Sequence, residues 1–516
     1  MRKNTKKAVL ALAALTVAFS AASCGKKDNG GLTSGKEKVT WWVELNANTA
    51  QTASNLSETK FSKKLMEKFN VDIEYQHPAQ GQAAEKFNIM IATGDLPDII
   101  EYGWNYYSGG APKALQDGVI QEIDIEKDAP SLFNYIKDND AVKKQMMTDD
   151  GKYYGYPFIR GDRSLQTSAG IMLRADWLSD LNLPVPETID EWTKTLKEFK
   201  DKKGAKAPLD MATYQLAFNG FIGAYGVSDD IYIDDDGKVC YGPCQKGYKD
   251  FLIQMNKWYS DGLLNSDFVS LDGSIIQSNI LNGVSGAALG SVGGNMGKWL
   301  AAKPDDKFDL VAAPYPVLNK GDKPQFGQLQ NSVTGTFATI SRDCKNAELC
   351  KKILDYGYTD EGHMLYNFGI EGESYEMKDG NPVFTDLITN NSEGLSMSAA
   401  LAKYALSHTE GPFVQDKRYM EQYASLPQQQ EAIEKWSDTE MEKHLLPNTT
   451  LLPDEAKAMA TKLENIKTYK DEMLAKFIMG LEPIDNFDSF AEELKTRGAD
   501  EYVKMMQDAY DRYNKR

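Results

Sequence analysis

The chain has 516 residues, 41% of them hydrophobic, and a formal net charge of −17 at pH 7. That length suggests about three domains and a sizeable core, while so negative a surface repels phosphate backbones and anionic membranes and excludes nucleic acid as a partner. Past the N-terminal segment no apolar run is long enough to span a bilayer.

The first element is a targeting segment. Arg2, Lys3, Lys6 and Lys7 precede an uncharged apolar stretch from Ala8 to Phe19 and the small residues Ala21, Ala22 and Ser23, the layout of a secretory signal. As a helix the apolar stretch would span only about 18 Å against a hydrocarbon core of about 30 Å, so it directs export and does not anchor the mature chain. Two cleavage patterns compete. An ordinary signal would be cut after Ser23; alternatively Ala22-Ser23-Cys24 resembles a bacterial lipobox, with a diacylglyceryl group on the Cys24 thiol and Cys24 as the new N-terminus. Ala21 departs from the leucine usual in that motif. A lone cysteine directly behind a signal has no other evident use, which favours lipidation, and two acyl chains hold stably where one holds marginally. Cys24 is therefore the expected lipid attachment, placing the protein on the extracellular face of a bacterial cell membrane. Removal of residues 1–23 takes four positive charges with it and leaves −21.

Residues 24–38 are polar and glycine-rich, a flexible linker spanning about 20 Å root-mean-square. "KVTWWVEL" then reads as a strand, in which the adjacent Trp41 and Trp42 point to opposite faces. "ETKFSKKLMEKFN" places Phe61, Leu65, Met66 and Phe69 on one helical face, "VDIEYQ" is a second strand, "AAEKFNIMIATG" a helix ending at Gly94, and "PDIIEYG" a third strand. The β-α-β-α-β order predicts a parallel sheet, and open parallel sheets bind ligands beyond the carboxyl ends of their strands. Two stretches fall there: "LNANT", with Asn46 and Asn48, and "EYGWNYYSGG", with Glu101, Tyr102, Trp104, Asn105, Tyr106 and Tyr107. Aromatic rings that stack on pyranose faces, beside amides and carboxylates for hydroxyls, suggest a sugar site; the competing possibility is that these rings are loop anchors and core. "GKYYGYPFIRGDR" adds Tyr154, Tyr156 and Arg160, the last suited to a ligand hydroxyl or to a surface salt bridge.

Farther on, "TIDEWTKTLKEFK" opens with Thr188 and Glu191 in capping-box spacing and buries Ile189, Trp192, Leu196 and Phe199. "IYIDDDGKVCYG" reads as a hairpin turning at Asp236-Gly237. A calcium loop is rejected there, because Tyr232 and Pro243 would occupy positions that need carboxylates. "GSVGGNMGKW" fails as a phosphate loop, with Val292 for the first glycine and Trp299 for Ser or Thr. Besides Cys24, Cys240, Cys244, Cys344 and Cys350 form either two short-range disulfides or four thiols. From Pro453 the chain is helical, with Leu463, Ile466, Tyr469, Met473 and Phe477 at helical spacing. No nucleophile-elbow or zincin motif occurs, no metal, cofactor or catalytic residue is indicated, and no carboxylate pair stands out as that of a glycosidase.

"IATGDLPDIIEY", "GKYYGYPF", "IMLRADWLSDLNLPVPETIDEWTKTLKEFK", "WYSDGLLNSDF", "CKKILDYGYTDEGHMLYNFGIEGESYE" and "DAYDRYNKR" follow one another in the order of the extracellular solute-binding proteins. The chain resembles the long sugar-binding lipoproteins of bacterial ABC importers over nearly its whole mature length. The resemblance implies an α/β fold of the two-lobed, type II periplasmic-binding kind, a hinge, and an oligosaccharide held in the cleft of a monomer that delivers it to permease subunits. By the family pattern residues 39–165 and 308–365 form lobe 1, and 166–307 and 366–516 lobe 2. The candidate ligand set is Trp42, Asn46, Asn48, Glu101, Trp104, Asn105, Tyr106, Tyr156, Arg160, Trp299 and Tyr375. Alginate-binding relatives carry an acidic calcium loop where this chain has "DKKGAKAPLD", which argues against that ion here. The alternatives to an importer component are a secreted glycan-degrading enzyme and a surface glycan-binding protein without a transporter.

Overall fold

The computed structural model describes residues 35–406 and 410–516; the signal segment, Cys24 and most of the linker lie outside the described residues. The expected alternation opens the fold. Strands β1 (Glu37–Trp42), β2 (Val71–Gln76) and β3 (Ile99–Gly103) are joined by the helices Lys60–Phe69 and Ala83–Thr93, and β1 pairs in parallel with both β2 and β3. Each helix turns its apolar stripe to the sheet, burying Phe61, Leu65, Phe87 and Met90. Gly94 ends the second helix at φ 72°, a left-handed conformation that glycine adopts without Cβ strain.

The chain continues through β4 (Tyr156–Arg160), β5 (Ala169–Arg174), β6 (Leu209–Asp210), the hairpin β7 (Ile231–Ile233) and β8 (Val239–Tyr241), β9 (Ala287–Ser291), β10 (Leu310–Ala313) and β11 (Val333–Ile340). A second hairpin, β12 (Tyr375–Lys378) and β13 (Asn381–Phe384), and the short β14 (Val414–Gln415) complete the strands. Six of them form one sheet in the order β14-β4-β11-β3-β1-β2, and four form another in the order β10-β5-β9-β6. β11 runs antiparallel to both β3 and β4, so the first sheet is mixed.

Each sheet has its own core. Val39, Phe61, Ile99, Phe158, Phe337 and Phe413 belong to the first; Ile171, Trp192, Trp258, Leu289, Trp299 and Trp436 belong to the second. These are the two α/β lobes. The lobe boundaries differ from those expected. β10 pairs with β5 in the second sheet, and Tyr315 and Phe326 are buried in the second core while Val333 is in the first. The return crossing therefore lies near 328–333 rather than at 308. β14, from the stretch assigned to lobe 2, pairs with β4 in lobe 1. Residues around the β12–β13 hairpin build a third, small core of Phe368, Tyr375, Phe384, Leu401 and Tyr419.

Local chemistry accounts for several elements. Thr188 and Glu191 cap the helix Ile189–Lys203 reciprocally, and the Asp234 carboxylate accepts from the backbone N–H groups of Asp236 and Lys238 in the β7–β8 turn. In "GSVGGNMGKW" a Cβ on Gly293 would sit 2.1 Å from the Tyr423 ring. That run is glycine-rich because another segment packs against it. The four described cysteines are thiols, with the sulfurs of Cys344 and Cys350 3.5 Å apart.

The C-terminal helices Pro453–Met479, Phe487–Thr496 and Ala499–Lys515 pack onto the second core through Met459, Ile466, Phe477, Phe490, Leu494 and Met505. Their last residues cross to lobe 1. Arg516 Nη2 lies 2.6 Å and Arg512 Nε 2.5 Å from the Asp149 carboxylate, and Glu455 holds Arg512 Nη2 at 2.7 Å.

Candidate functional site

A cavity of 1120 Å³ opens at the carboxyl ends of β1 and β3, where a parallel arrangement leaves backbone and side chains without a following strand. One wall is lobe 1: the residues after β1 (Val43–Ala47), the turn Pro78–Gly81 after β2, Glu101–Tyr106 at the end of β3, and Thr334–Phe337 at the start of β11. The facing wall is the loop Leu446–Leu451 together with Ala456, Leu463, Tyr502 and Met506 from the helices that pack on lobe 2. The volume is at the top of the range of small-molecule sites, roughly 300–1,000 Å³, and leaves room for more than one sugar ring.

The wall combines rings with hydrogen-bonding groups. Tyr106 is 56% exposed and lies 5.1 Å from the Tyr102 ring at an interplanar angle of 31°, a tilted pair offering an apolar face. Asn105 stands beside it on the same turn. Asn46 Oδ1 accepts from the Asn48 backbone N–H at 2.8 Å, which fixes the Asn46 amide at the end of β1. Thr336, Asn448 and Gln145 add further polar groups, and the Thr336 hydroxyl donates to Glu410.

Three carboxyl groups face this space. Glu101 is buried and accepts from the Trp41 indole N–H at 3.1 Å. Burial pushes its carboxyl up to about 8; the Trp41 bond pulls the other way and the Glu410 charge adds to the rise. At neutral pH Glu101 is thus mainly protonated and can donate as well as accept. Partial burial and the charge of Glu410 also raise Glu44.

Of the expected ligand residues the cavity gathers Asn46, Glu101, Trp104, Asn105 and Tyr106. Trp104 is only 1% exposed, packed edge-on against Phe87 at 5.5 Å; it supports the wall and presents no face for stacking. The others lie off the cavity, and the expectation is corrected for each. Trp42 is buried on the opposite side of β1, edge-on to Tyr102 at 5.3 Å, and its neighbour Trp41 is the one on the wall. Asn48 belongs to the turn after β1, where its side chain meets Gln51. Tyr156 is fully buried with its hydroxyl donating to the Asp128 carbonyl at 2.9 Å. Arg160 donates to the Gln415 side chain at 3.0 Å, bridging β4 and β14. Trp299 is in the second core and Tyr375 in the third. Sequence reasoning missed Glu44, Gln80, Glu410, Thr336 and the whole 446–451 loop. Glu44 and Gln80 follow β1 and β2, so the strand-end rule could have flagged them; the other elements reach the cavity through long-range packing, for which the sequence carries no local signal.

Comparison with known proteins places this geometry. A family model described as bacterial extracellular solute-binding protein matches residues 53–364, more than half of the chain, and the chain belongs to that family. It is 26% identical over 456 residues to lipoprotein LipO of Bacillus subtilis (strain 168), covering 83% of this chain and 84% of that protein. It is 24% identical to the fructooligosaccharide ABC transporter substrate-binding protein FusA of Streptococcus pneumoniae serotype 4, over 99% of this chain and 98% of the relative. The fold matches the crystal structure of alginate-binding protein AlgQ2 without calcium ion at a TM-score of 0.73 and 23% identity, covering 92% and 97% of the two chains.

Proposed function

We propose that this extracellular solute-binding protein captures an oligosaccharide between its two lobes, without turning it over, and delivers it to the permease subunits of an ABC importer. The observation that carries the reading is the inter-lobe cavity itself, in which the exposed Tyr106–Tyr102 pair and the Asn46 and Asn105 amides face a volume large enough for several rings. The full-length similarity to FusA, named for fructooligosaccharides, and the fold shared with alginate-binding AlgQ2 support the same class of ligand. A sugar shut between lobes loses its water on both faces, so binding and hinge closure are coupled.

The test is a binding screen of oligosaccharides by thermal shift and calorimetry, repeated on Tyr106→Ala. The ring is mainly exposed, so its loss should weaken sugar binding by about 2 kcal/mol, roughly thirtyfold, as for an aromatic hot spot, while thermal stability stays within about 0.5 kcal/mol. Unchanged affinity in this variant would remove Tyr106 from the site. Recovery of every sugar intact after incubation separates capture from hydrolysis.

We further propose that Cys24 is lipidated and tethers the mature chain to the outer face of the cell membrane, in line with the similarity to lipoprotein LipO. Cys24→Ser should release the chain from the membrane fraction or leave its signal unprocessed. Normal processing and membrane retention of that variant would rule the tether out.

A further inference from the structure

Three segments of the lobe 1 wall meet at one imidazole. Val43–Ala47 after β1, Thr49 and Leu56 in the loop that follows, and the turn Pro78–Gly81 after β2 all line the cavity. Half-buried His77, just past the end of β2, ties them together. Its Nδ1 lies 2.8 Å from the Val43 carbonyl oxygen and its Nε2 3.1 Å from the Leu56 backbone nitrogen. A carbonyl only accepts and a backbone N–H only donates. The ring is therefore neutral, with its proton on Nδ1 and the Nε2 lone pair taken by Leu56. The Val43 bond prolongs the pairing of β1 with β2, since the Val43 N–H donates to the Gln76 carbonyl at 3.1 Å. The ring also stacks on Tyr75 at 6.2 Å and 6°.

We infer that neutral His77 positions this side of the cavity and that protonation of Nε2 releases Leu56 and weakens ligand capture, an inference that rests on the oligosaccharide reading of the cavity. In the imidazolium both nitrogens are donors. Nε2–H then faces the Leu56 N–H, and one of the two must turn away, while the Val43 bond survives. Leu56 opens the short helix Leu56–Glu58, so the break falls on the loop that carries Thr49 and Leu56 to the cavity. The ionisable groups on the elements around His77 have other partners. Glu74 pairs with Lys38, the Tyr75 hydroxyl accepts from Ser62, and Glu58 accepts from Ser54. Lys63 donates to the Glu58 carbonyl and Lys60 pairs with Glu373. Glu44, next to Val43, is itself raised by burial and by Glu410. Burial lowers the His77 pKa from its ordinary 6.5, and the Val43 bond offsets this only in part. The folded value is thus below the unfolded one. The contribution of neutral His77 is complete above the ordinary value and is lost as the pH falls through the lower folded one.

The experiment compares the parent chain, His77→Gln and His77→Ala between about pH 7.5 and about pH 5. Hydrogen exchange of peptides covering residues 49–58, without ligand and corrected for intrinsic rates, reads the wall directly. The parent should lose protection there by about three- to tenfold as the pH falls, the scale of one hydrogen bond. Neither variant should show that step, because neither side chain gains a proton. Titration calorimetry with kestose, nystose, raffinose, stachyose, maltotriose, cellotriose and xylotriose reads capture. His77→Gln and His77→Ala should bind the best of these more weakly than the parent at the highest pH and depend less on pH. Glu44 and Glu101 titrate in all three proteins, so the excess pH dependence of the parent over His77→Gln reports His77. Protection in the parent that is indifferent to pH, or falls equally in His77→Gln, overturns the inference and leaves the oligosaccharide reading intact. A step in exchange without one in affinity overturns the link from Leu56 to capture. Binding of no probe at any pH overturns the oligosaccharide reading and the role in capture with it, while the exchange result still decides whether His77 holds the wall.

Discussion

Truncating Trp104 to alanine is expected to lower the stability of the protein by about 3–5 kcal/mol, the range for removing a large buried ring. The residue follows β3 directly, where a strand end meets the helix Ala83–Thr93. Its indole lies edge-on to Phe87 at 5.5 Å and 6.3 Å from Tyr107, with 1% of its surface exposed. Urea unfolding followed by fluorescence should show a lower midpoint at unchanged slope. Sugar affinity should fall as well, because the turn carrying Asn105 and Tyr106 rests on this ring. The contrast with Tyr106→Ala is diagnostic: that variant loses affinity and keeps stability. A Trp104→Ala protein as stable as the parent but unable to bind would make the ring a stacking platform after all, in the way its place beyond a strand end suggests from sequence.

The second large effect is expected at Asp149. Its carboxylate receives Arg516 through Nη2 at 2.6 Å and Nε at 3.1 Å, and Arg512 through Nε at 2.5 Å. The Arg516 side chain is 1% exposed. Asp149→Ala leaves that guanidinium buried with neutral acceptors only, among them the carbonyls of Lys144 and Met147. Breaking a buried ion pair on one side costs about 3–5 kcal/mol, since the remaining charge is desolvated without compensation. Arg512 keeps Glu455 and contributes little to the loss. The consequence extends beyond stability. Arg516 and Arg512 also hold Thr450, on the loop that forms the far wall of the cavity, so the variant should bind sugar more weakly. Asp149→Asn, which keeps a hydrogen-bonding group without the charge, should fall between parent and alanine. Urea midpoints of the three proteins, compared with those in an Arg516→Ala background, check this; equal effects of Asp149→Ala in both backgrounds would show that the pair is not coupled.

Both predictions turn on the difference between a residue's place in the chain and its surroundings. The sequence alone determined the local elements and the class of fold. Apolar residues at helical spacing around Phe61 and Phe87, a capping box at Thr188 and Glu191, a turn at Asp236-Gly237 and the β-α-β-α-β order depend on contacts a few residues apart, and the structure holds all of them. The same order located the cavity at the ends of β1 and β3, because the geometry of parallel strands leaves a crevice there whatever the side chains. Tertiary structure alone decided which residues face that crevice. Strand alternation placed Trp41 and Trp42 on opposite faces, and only the neighbours on each side show that Trp41 meets the cavity and Trp42 the helix packed behind it. The aromatic cluster at 102–107 divides between exposed Tyr106 and buried Trp104 according to where Phe87 arrives from another element. β14 joins lobe 1, β10 joins lobe 2, and the 446–451 loop closes the far wall. The strand and loop placements come from pairings more than a hundred residues apart in the chain and those of the aromatic residues from contacts between separate elements, governed by burial of shared apolar surface and by the matching of charges such as Asp149 and Arg516, and no local pattern encodes them.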